Sequence, residues 1–184
     1  MTTSTITAAP AGTFSVDPSH SRVEFAVKHL GIATVKGTFG SFEGTLELGA
    51  DLSQARAGGR VDAASIDTQE DKRDAHLRSA DFFDVERFPA LSFESTDIRP
   101  LDDDRFEITG DLTIRGVTRE VTLVAELLGS ETDPWGNERV GLEVSGQLNR
   151  GEFGLTWNQV LGSGNMLVSD KVKLALEISA VRQG

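Results

Sequence analysis

From Arg105 to Leu128 apolar residues recur at every second position, and the pattern is mirrored about Arg115–Gly116. Phe106, Ile108, Gly110, Leu112 and Ile114 lie before that pair; Val117, Val121, Leu123, Ala125 and Leu127 follow it. A two-residue turn at Arg115–Gly116 sets Ile114 opposite Val117, Leu112 opposite Arg119, Gly110 opposite Val121 and Ile108 opposite Leu123. Successive side chains of a strand point to opposite faces, so this register collects both apolar files on one face, and a slip of one residue would scatter them. The segment reads as a β-hairpin that buries one side.

The same period of two runs through the rest of the chain. Ser21–Leu30 sets Val23, Phe25, Val27 and His29 on one face and Arg22, Glu24 and Lys28 on the other. Thr34–Leu48 aligns Val35, Gly37 and Phe39, then Phe42, Gly44, Leu46 and Leu48; the parity changes at Gly40–Ser41, which predicts a bulge or sharp bend. Arg60–Ile66 is a weaker strand of small residues, and Leu91, Phe93 and Ser95 alternate in the next. Val140–Leu148 and Val172–Ala180 make the seventh and eighth strands. One segment is helical: Thr68-Gln69-Glu70-Asp71 has the form of an N-terminal cap with acids in the first turn, where they complement the helix dipole, and the helix runs to about Ser79.

Amphipathic strands in this number bury a single apolar face either by closing into an antiparallel barrel, which also removes exposed edges, or by folding into a two-sheet sandwich. Strand spacing alone does not separate the two. The length of 184 residues suits one domain. The uncharged, Thr- and Ala-rich stretch 1–13 reads as a flexible tail and 14–184 as the single barrel domain. No secretory signal is read in the tail, since neither a basic n-region nor a continuous apolar h-region is present. The expected location is cytoplasmic.

Charge and composition exclude several function classes. The 29 acidic against 18 basic residues leave a net −11, opposite to what a phosphate-backbone surface needs, and equally unsuited to a peripheral helix on anionic lipid. The absence of cysteine removes disulfides, thiolate catalysis and cysteine-ligated metals. No apolar run has the roughly 20 residues of a spanning helix. Phosphate-binding loops, nucleophile elbows and zinc-binding His-Glu-x-x-His helices are missing, and Gly162-Ser-Gly164 lacks a strand–turn–helix setting. Asp17, His20 and Ser21 lie too close together for an obvious triad. The expectation is therefore a protein with no catalytic residues, no metal and no cofactor.

Four segments together carry a resemblance: Asp17-Pro-Ser-His-Ser-Arg-Val-Glu-Phe-Ala-Val-Lys-His29, Arg73-Asp-Ala-His-Leu-Arg-Ser-Ala-Asp-Phe-Phe-Asp84, Gly110-Asp-Leu-Thr-Ile-Arg-Gly-Val-Thr118 and Asn149-Arg-Gly-Glu-Phe-Gly154. In order and spacing, over about Phe14 to Val181, the chain resembles the YceI-like family. That resemblance implies an all-β, extended, lipocalin-like barrel of eight antiparallel strands, one short helix capping a mouth, and an isoprenoid or similar long-chain amphiphile held in the lumen for transport, storage or sequestration. It also allows a homodimer. Many family members are exported, a pattern from which this chain's N-terminus departs.

The residues themselves give a lumen some support. The inward files mix large Phe (Phe25, Phe39, Phe42, Phe93, Phe106) with small Gly37, Gly44, Ser95, Gly110, Ala125 and Gly146. Small residues facing each other leave room for an elongated guest; alternatively, the glycines only relieve barrel curvature. The expected lining is Phe25, Val27, His29, Phe39, Phe42, Phe93, Phe106, Ile108, Leu112, Leu123, Val144, Trp157, Met166 and Leu176, the Trp and Met belonging to an unusually apolar loop, Leu155–Val168. That loop is either a ligand-facing lid or packing for the outer wall. Three headgroup candidates stand out. His29 follows the inward parity, and either meets a headgroup or quinone oxygen or is tied to a backbone carbonyl. Arg119 interrupts its apolar file, as anchor or rim ion pair. Arg150 is an anchor or a structural partner of its loop. His20 reads as a turn residue, His76 with Arg73 and Asp74 as a polar cluster sealing one mouth, and Asp102-Asp103-Asp104 as a solvated turn. The expected partner is a hydrophobic small molecule, with no nucleic acid and no membrane span. Binding of another hydrophobic compound in a stress response, or enzymatic modification of a bound lipid, are the alternatives.

Overall fold

The computed structural model describes residues 11–49 and 54–183. Eleven strands are numbered in chain order: β1 (Gly12–Val16), β2 (Arg22–His29), β3 (Ala33–Phe39), β4 (Phe42–Leu48), β5 (Arg56–Asp62), β6 (Ile66–Asp67), β7 (Ala90–Pro100), β8 (Arg105–Ile114), β9 (Val117–Thr132), β10 (Glu138–Asn149) and β11 (Val168–Arg182). The one α-helix, α1, is Asp71–Arg78. β1 with β2, and β3 with β4, are each one bent strand, so the neighbour order β4-β5-β7-β8-β9-β10-β11, with β1 paired to both β4 and β11, closes an antiparallel barrel of eight strands. The sandwich alternative is thereby set aside.

The bends have local causes. Asp17 caps a 3-10 turn, Pro18–His20, accepting from the Ser19 amide at 3.0 Å. The chain stays attached to β11 across this detour because Ser21 Oγ donates to the Ser179 carbonyl at 3.2 Å and accepts from its amide at 2.9 Å. At Gly40–Ser41 the strand turns as its parity predicts: β3 pairs with β2 and β6, while β4 pairs with β1 and β5. The β8–β9 hairpin has the expected register throughout, and its turn residues Arg115 and Gly116 both take positive φ, 50° and 72°, as a type I′ turn requires.

Three boundaries differ from the sequence expectation. β1 begins at Gly12, where Gly12 and Thr13 pair with Leu48 and Glu47, so the barrel starts two residues before Phe14; of the tail expected over 1–13, residues 1–10 lie outside the described residues. The small-residue strand begins at Arg56 and is interrupted by a 3-10 turn at Ala63–Ser65 before β6. The helix is capped by Glu70, whose carboxylate accepts from the amides of Lys72 and Arg73, and not by Thr68. Thr68 is buried, with its amide and hydroxyl donating to Asp74 at 2.9 and 2.5 Å.

Three apolar clusters occupy much of the interior. Phe14, Val140 and Ala180 close the end where β1 begins and β11 finishes. Ile98, Phe106, Ile108 and Ala125 fill the side formed by β7, β8 and β9. Phe82, Ile114, Phe153 and Leu155 make a plug at the opposite end, below α1 and the segment after it.

Candidate ligand-binding site

The inward side chains outside these clusters are concentrated on one wall. Val23, Phe25 and Val27 on β2 face Leu176, Leu174 and Val172 on β11, with Val35 beside Val27 and Leu142 further along β10. All are half-buried although they share the inward parity of fully buried neighbours. These residues form the part of the barrel's inner wall that lies outside the three clusters. Of the expected lining, Phe25, Val27, His29 and Leu176 come together here. Val23, Val172, Leu174 and Leu142 belong with them and were left out of the sequence reading, although their alternation with those residues carries the signal.

Other expected lining residues have different roles. Phe93, Phe106, Ile108 and Val144 pack into the cluster around Ile98 and Ala125, and Leu112 packs on the plug. Phe39 is buried between Phe25 and Phe83, with ring centroids at 5.7 and 5.9 Å. Phe42 is half-buried opposite Val61, away from the β2–β11 wall. Leu123 is buried and covers Gly146.

That last contact corrects the expectation that small inward residues leave room for a guest. A Cβ at Gly37 would collide with the Phe25 ring, one at Gly110 with the Phe93 ring, and one at Gly146 with Leu123. The glycines are the floor on which large neighbours lie flat.

The apolar loop splits into two parts. Trp157 is no lid: it packs edge-on against His76 (4.7 Å) and is tilted against Phe82 (5.5 Å), so it belongs to the plug. His76 adds a hydrogen bond from its Nε2 to Asp81 at 2.8 Å, while Arg73 and Asp74, expected to cluster with it, are bonded to Thr68 instead. Met166, by contrast, is 53% exposed. It pairs with Val160 in a small hairpin that extends past the barrel rim, which removes it from the lining.

Arg150 is not a headgroup anchor. It is buried and donates to the carbonyls of Leu155 (2.7 Å), Trp157 (2.9 Å), Ser169 (2.9 Å) and Val168 (3.3 Å). Burial lowers its pKa, an effect opposed by Asp170 at 3.7 Å. Its guanidinium thus replaces a regular ladder and fixes the loop to the start of β11. Arg119 is exposed, with its guanidinium on the Thr118 carbonyl at 3.2 Å and no carboxylate within 4.0 Å among the described residues; the rim ion pair is not formed. His29 ends β2 opposite Val168, half-buried, and its ring has no hydrogen-bond partner among the described residues. Its imidazole is thus an unpartnered polar group at the end of the β2–β11 wall.

Elsewhere, Asp17 joins His20 Nδ1 (2.7 Å) and Arg139 (2.9 Å) in a surface cluster that ties β1 to β10, and Asp102 accepts from the amides of Asp104 and Arg105 in a solvated turn. A shallow outer concavity of about 800 Å³ surrounds Gly58, but Glu43, Thr45, Arg60, Ser92, Glu94 and Asp111 make it polar and unsuited to an apolar chain. No group of His, Asp and Glu among the described residues could hold a metal ion, and no described helix is long and apolar enough to cross a membrane.

Comparison with known proteins matches this architecture. A UPF0312 protein of Pectobacterium atrosepticum is 37% identical over 171 residues, 92% of this chain and 85% of the relative. Burkholderia cenocepacia BcnA superposes with a TM-score of 0.77 at 22% identity, over 89% of this chain and 98% of that one. A polyisoprenoid-binding domain from Saccharophagus degradans superposes with a TM-score of 0.68 at 14% identity, over 92% and 98%. The YceI-like domain model matches residues 14–180, and the chain belongs to the YceI-like family.

Proposed function

We propose that this protein binds a long-chain, isoprenoid-like amphiphile in the barrel lumen, for transport, storage or sequestration. The observation that carries the reading is the half-buried aliphatic wall of β2, β10 and β11, which lies outside the three packed clusters. A guest lying along Val23, Val27, Val172, Leu174 and Leu176 completes their burial, at a gain of roughly 0.8 kcal/mol for each methylene it removes from water. The Saccharophagus neighbour is a barrel of the same kind described as polyisoprenoid-binding, and this favours an isoprenoid among apolar guests. His29 supplies a donor or acceptor to a headgroup or quinone oxygen, with the exposed Arg119 as a second cation for a charged head. No residue is assigned a catalytic part.

Protein purified without detergent and extracted into organic solvent should release a long-chain lipid visible by mass spectrometry. Added polyprenols or isoprenoid quinones should quench Trp157 in a Trp135→Phe background. An empty extract together with no quenching overturns the reading.

A further inference from the structure

The mouth of the lumen has an apolar rim. Ile32 is 80% exposed, Val160 63%, Met166 53% and Leu30 39%. They sit on two adjacent turns, the β2–β3 hairpin and the Val160–Met166 hairpin, joined by a bond from the Leu30 amide to the Leu167 carbonyl at 2.9 Å.

What meets this rim is indicated by the charge beside it. Four of the protein's five lysines, Lys28, Lys36, Lys171 and Lys173, are exposed on the outer face of β2, β3 and β11. Ala26 lies between Lys36 and Lys173 in the ladders, so the cations form one patch running up to the rim. Glu24 at 3.8 Å from Lys36, Asp170, turned to Arg150, and Glu177, opposite Arg22, are the acids among them. The opposite wall carries exposed Glu43, Glu47, Glu94, Asp111, Glu120 and Glu126, with the cations Arg56, Arg60 and Arg119 among them and no lysine. The net −11 is thus an average over two unlike faces. The far end of the barrel also exposes apolar side chains, Leu101, Leu128 and Trp135, but beside Asp102, Asp103 and Asp104. Among the described residues only the mouth combines apolar tips with lysines.

We propose that the rim is a docking surface for an anionic lipid bilayer: Leu30, Ile32, Val160 and Met166 enter the interface while the lysine wall faces the lipid headgroups and the acidic wall faces away. Apolar tips supplemented by a basic patch are the two signals that reversible surface binding needs. This orientation brings the lumen mouth to the lipid.

The test is flotation of the purified chain with vesicles of phosphatidylcholine alone, or mixed with phosphatidylglycerol, at low and high salt. Binding is expected with the mixed vesicles and is weakened by salt. Ile32→Ser with Met166→Ser, or Lys28→Glu with Lys173→Glu, should each weaken it by roughly tenfold or more, while Trp135→Ala at the far end leaves it unchanged. The substituted positions are exposed, and an unchanged near-ultraviolet circular dichroism spectrum establishes that each variant is folded. No association with the mixed vesicles at low salt, or equal association of wild type and both double variants, overturns the proposal. So does a dimer in analytical ultracentrifugation that Ile32→Ser disperses, since a second copy would then cover the rim. The readout needs no cargo and is independent of what the lumen holds.

Discussion

The ring of Phe25 lies over Gly37, its directly opposite partner in the β2–β3 ladder, and takes the volume a Cβ would occupy. Behind the glycine stands the methyl of Thr68, itself fixed by Asp74 and Arg73. One glycine therefore sets how flat an aromatic side chain lies against the lumen wall.

Gly37→Ala should push Phe25 off the wall and towards the axis, destabilising the fold by about 1–3 kcal/mol. Urea denaturation measures this. Gly40→Ala, where a Cβ meets nothing within 4 Å, should change stability by no more than about 0.5 kcal/mol.

Arg150→Ala strips the Leu155, Trp157, Val168 and Ser169 carbonyls of their donor, a loss on the order of 3 kcal/mol for several buried acceptors. Arg150→Lys should recover only part of it, because one ammonium cannot span the positions a planar guanidinium reaches. The midpoint of thermal unfolding ranks the three proteins, and Trp157 emission should shift to the red in the alanine variant.

Acid should weaken the fold through Asp17 and Asp133. Hydrogen bonds from Ser19, Arg139 and His20 hold the Asp17 carboxyl well below its ordinary value of 3.8. At Asp133 burial works the other way, but Asn137, Arg139 and Trp135 donate strongly enough to bring its pKa down to about 2. A carboxyl with a depressed folded pKa adds stability that is present above the unfolded value and disappears as pH falls through the folded one. The denaturation midpoint should therefore drop as pH falls from about 4 towards about 2, and less steeply in Arg139→Gln, which removes a donor shared by both. A slope unchanged in that variant contradicts the assignment.

Val27→Arg places a cation in the middle of the aliphatic wall, opposite Val172. The barrel should still fold, since the side chain reaches solvent through the lumen, but affinity for polyprenols should fall by roughly tenfold or more because an apolar guest would bury an unpaired charge. Fluorescence titration measures the affinity. Full retention of binding means that the guest lies elsewhere.

The strands were legible because each carries its own period of two, and the β8–β9 register because Arg115–Gly116 is short enough to fix it. The lumen was legible only in part. Parity identifies inward residues but does not say which of them pack together, so Phe106 and Leu176 look alike in the sequence and differ in the fold. The place of Arg150 depends on four carbonyls from a loop and the start of β11, none of which has a side-chain signature. The basic wall was hidden for a similar reason: Lys36 and Lys173 are 137 residues apart and become neighbours only through the order β3-β2-β11.

β1 meets β11 only from Phe14 to Val16, whereas β10 follows β11 from Arg139 to Asn149. Closing the barrel joins the bent first strand to the last, across the widest separation in the chain. β2 holds β11 from Arg22 to His29, and β1 adds a short ladder beyond the Pro18–His20 detour. Contacts of that span carry the largest loop entropy and form late. The wall is thus a nearly finished cylinder awaiting one seam, and the amides of Phe14 to Val16 mark where it would first part, exchanging with solvent ahead of those in β10.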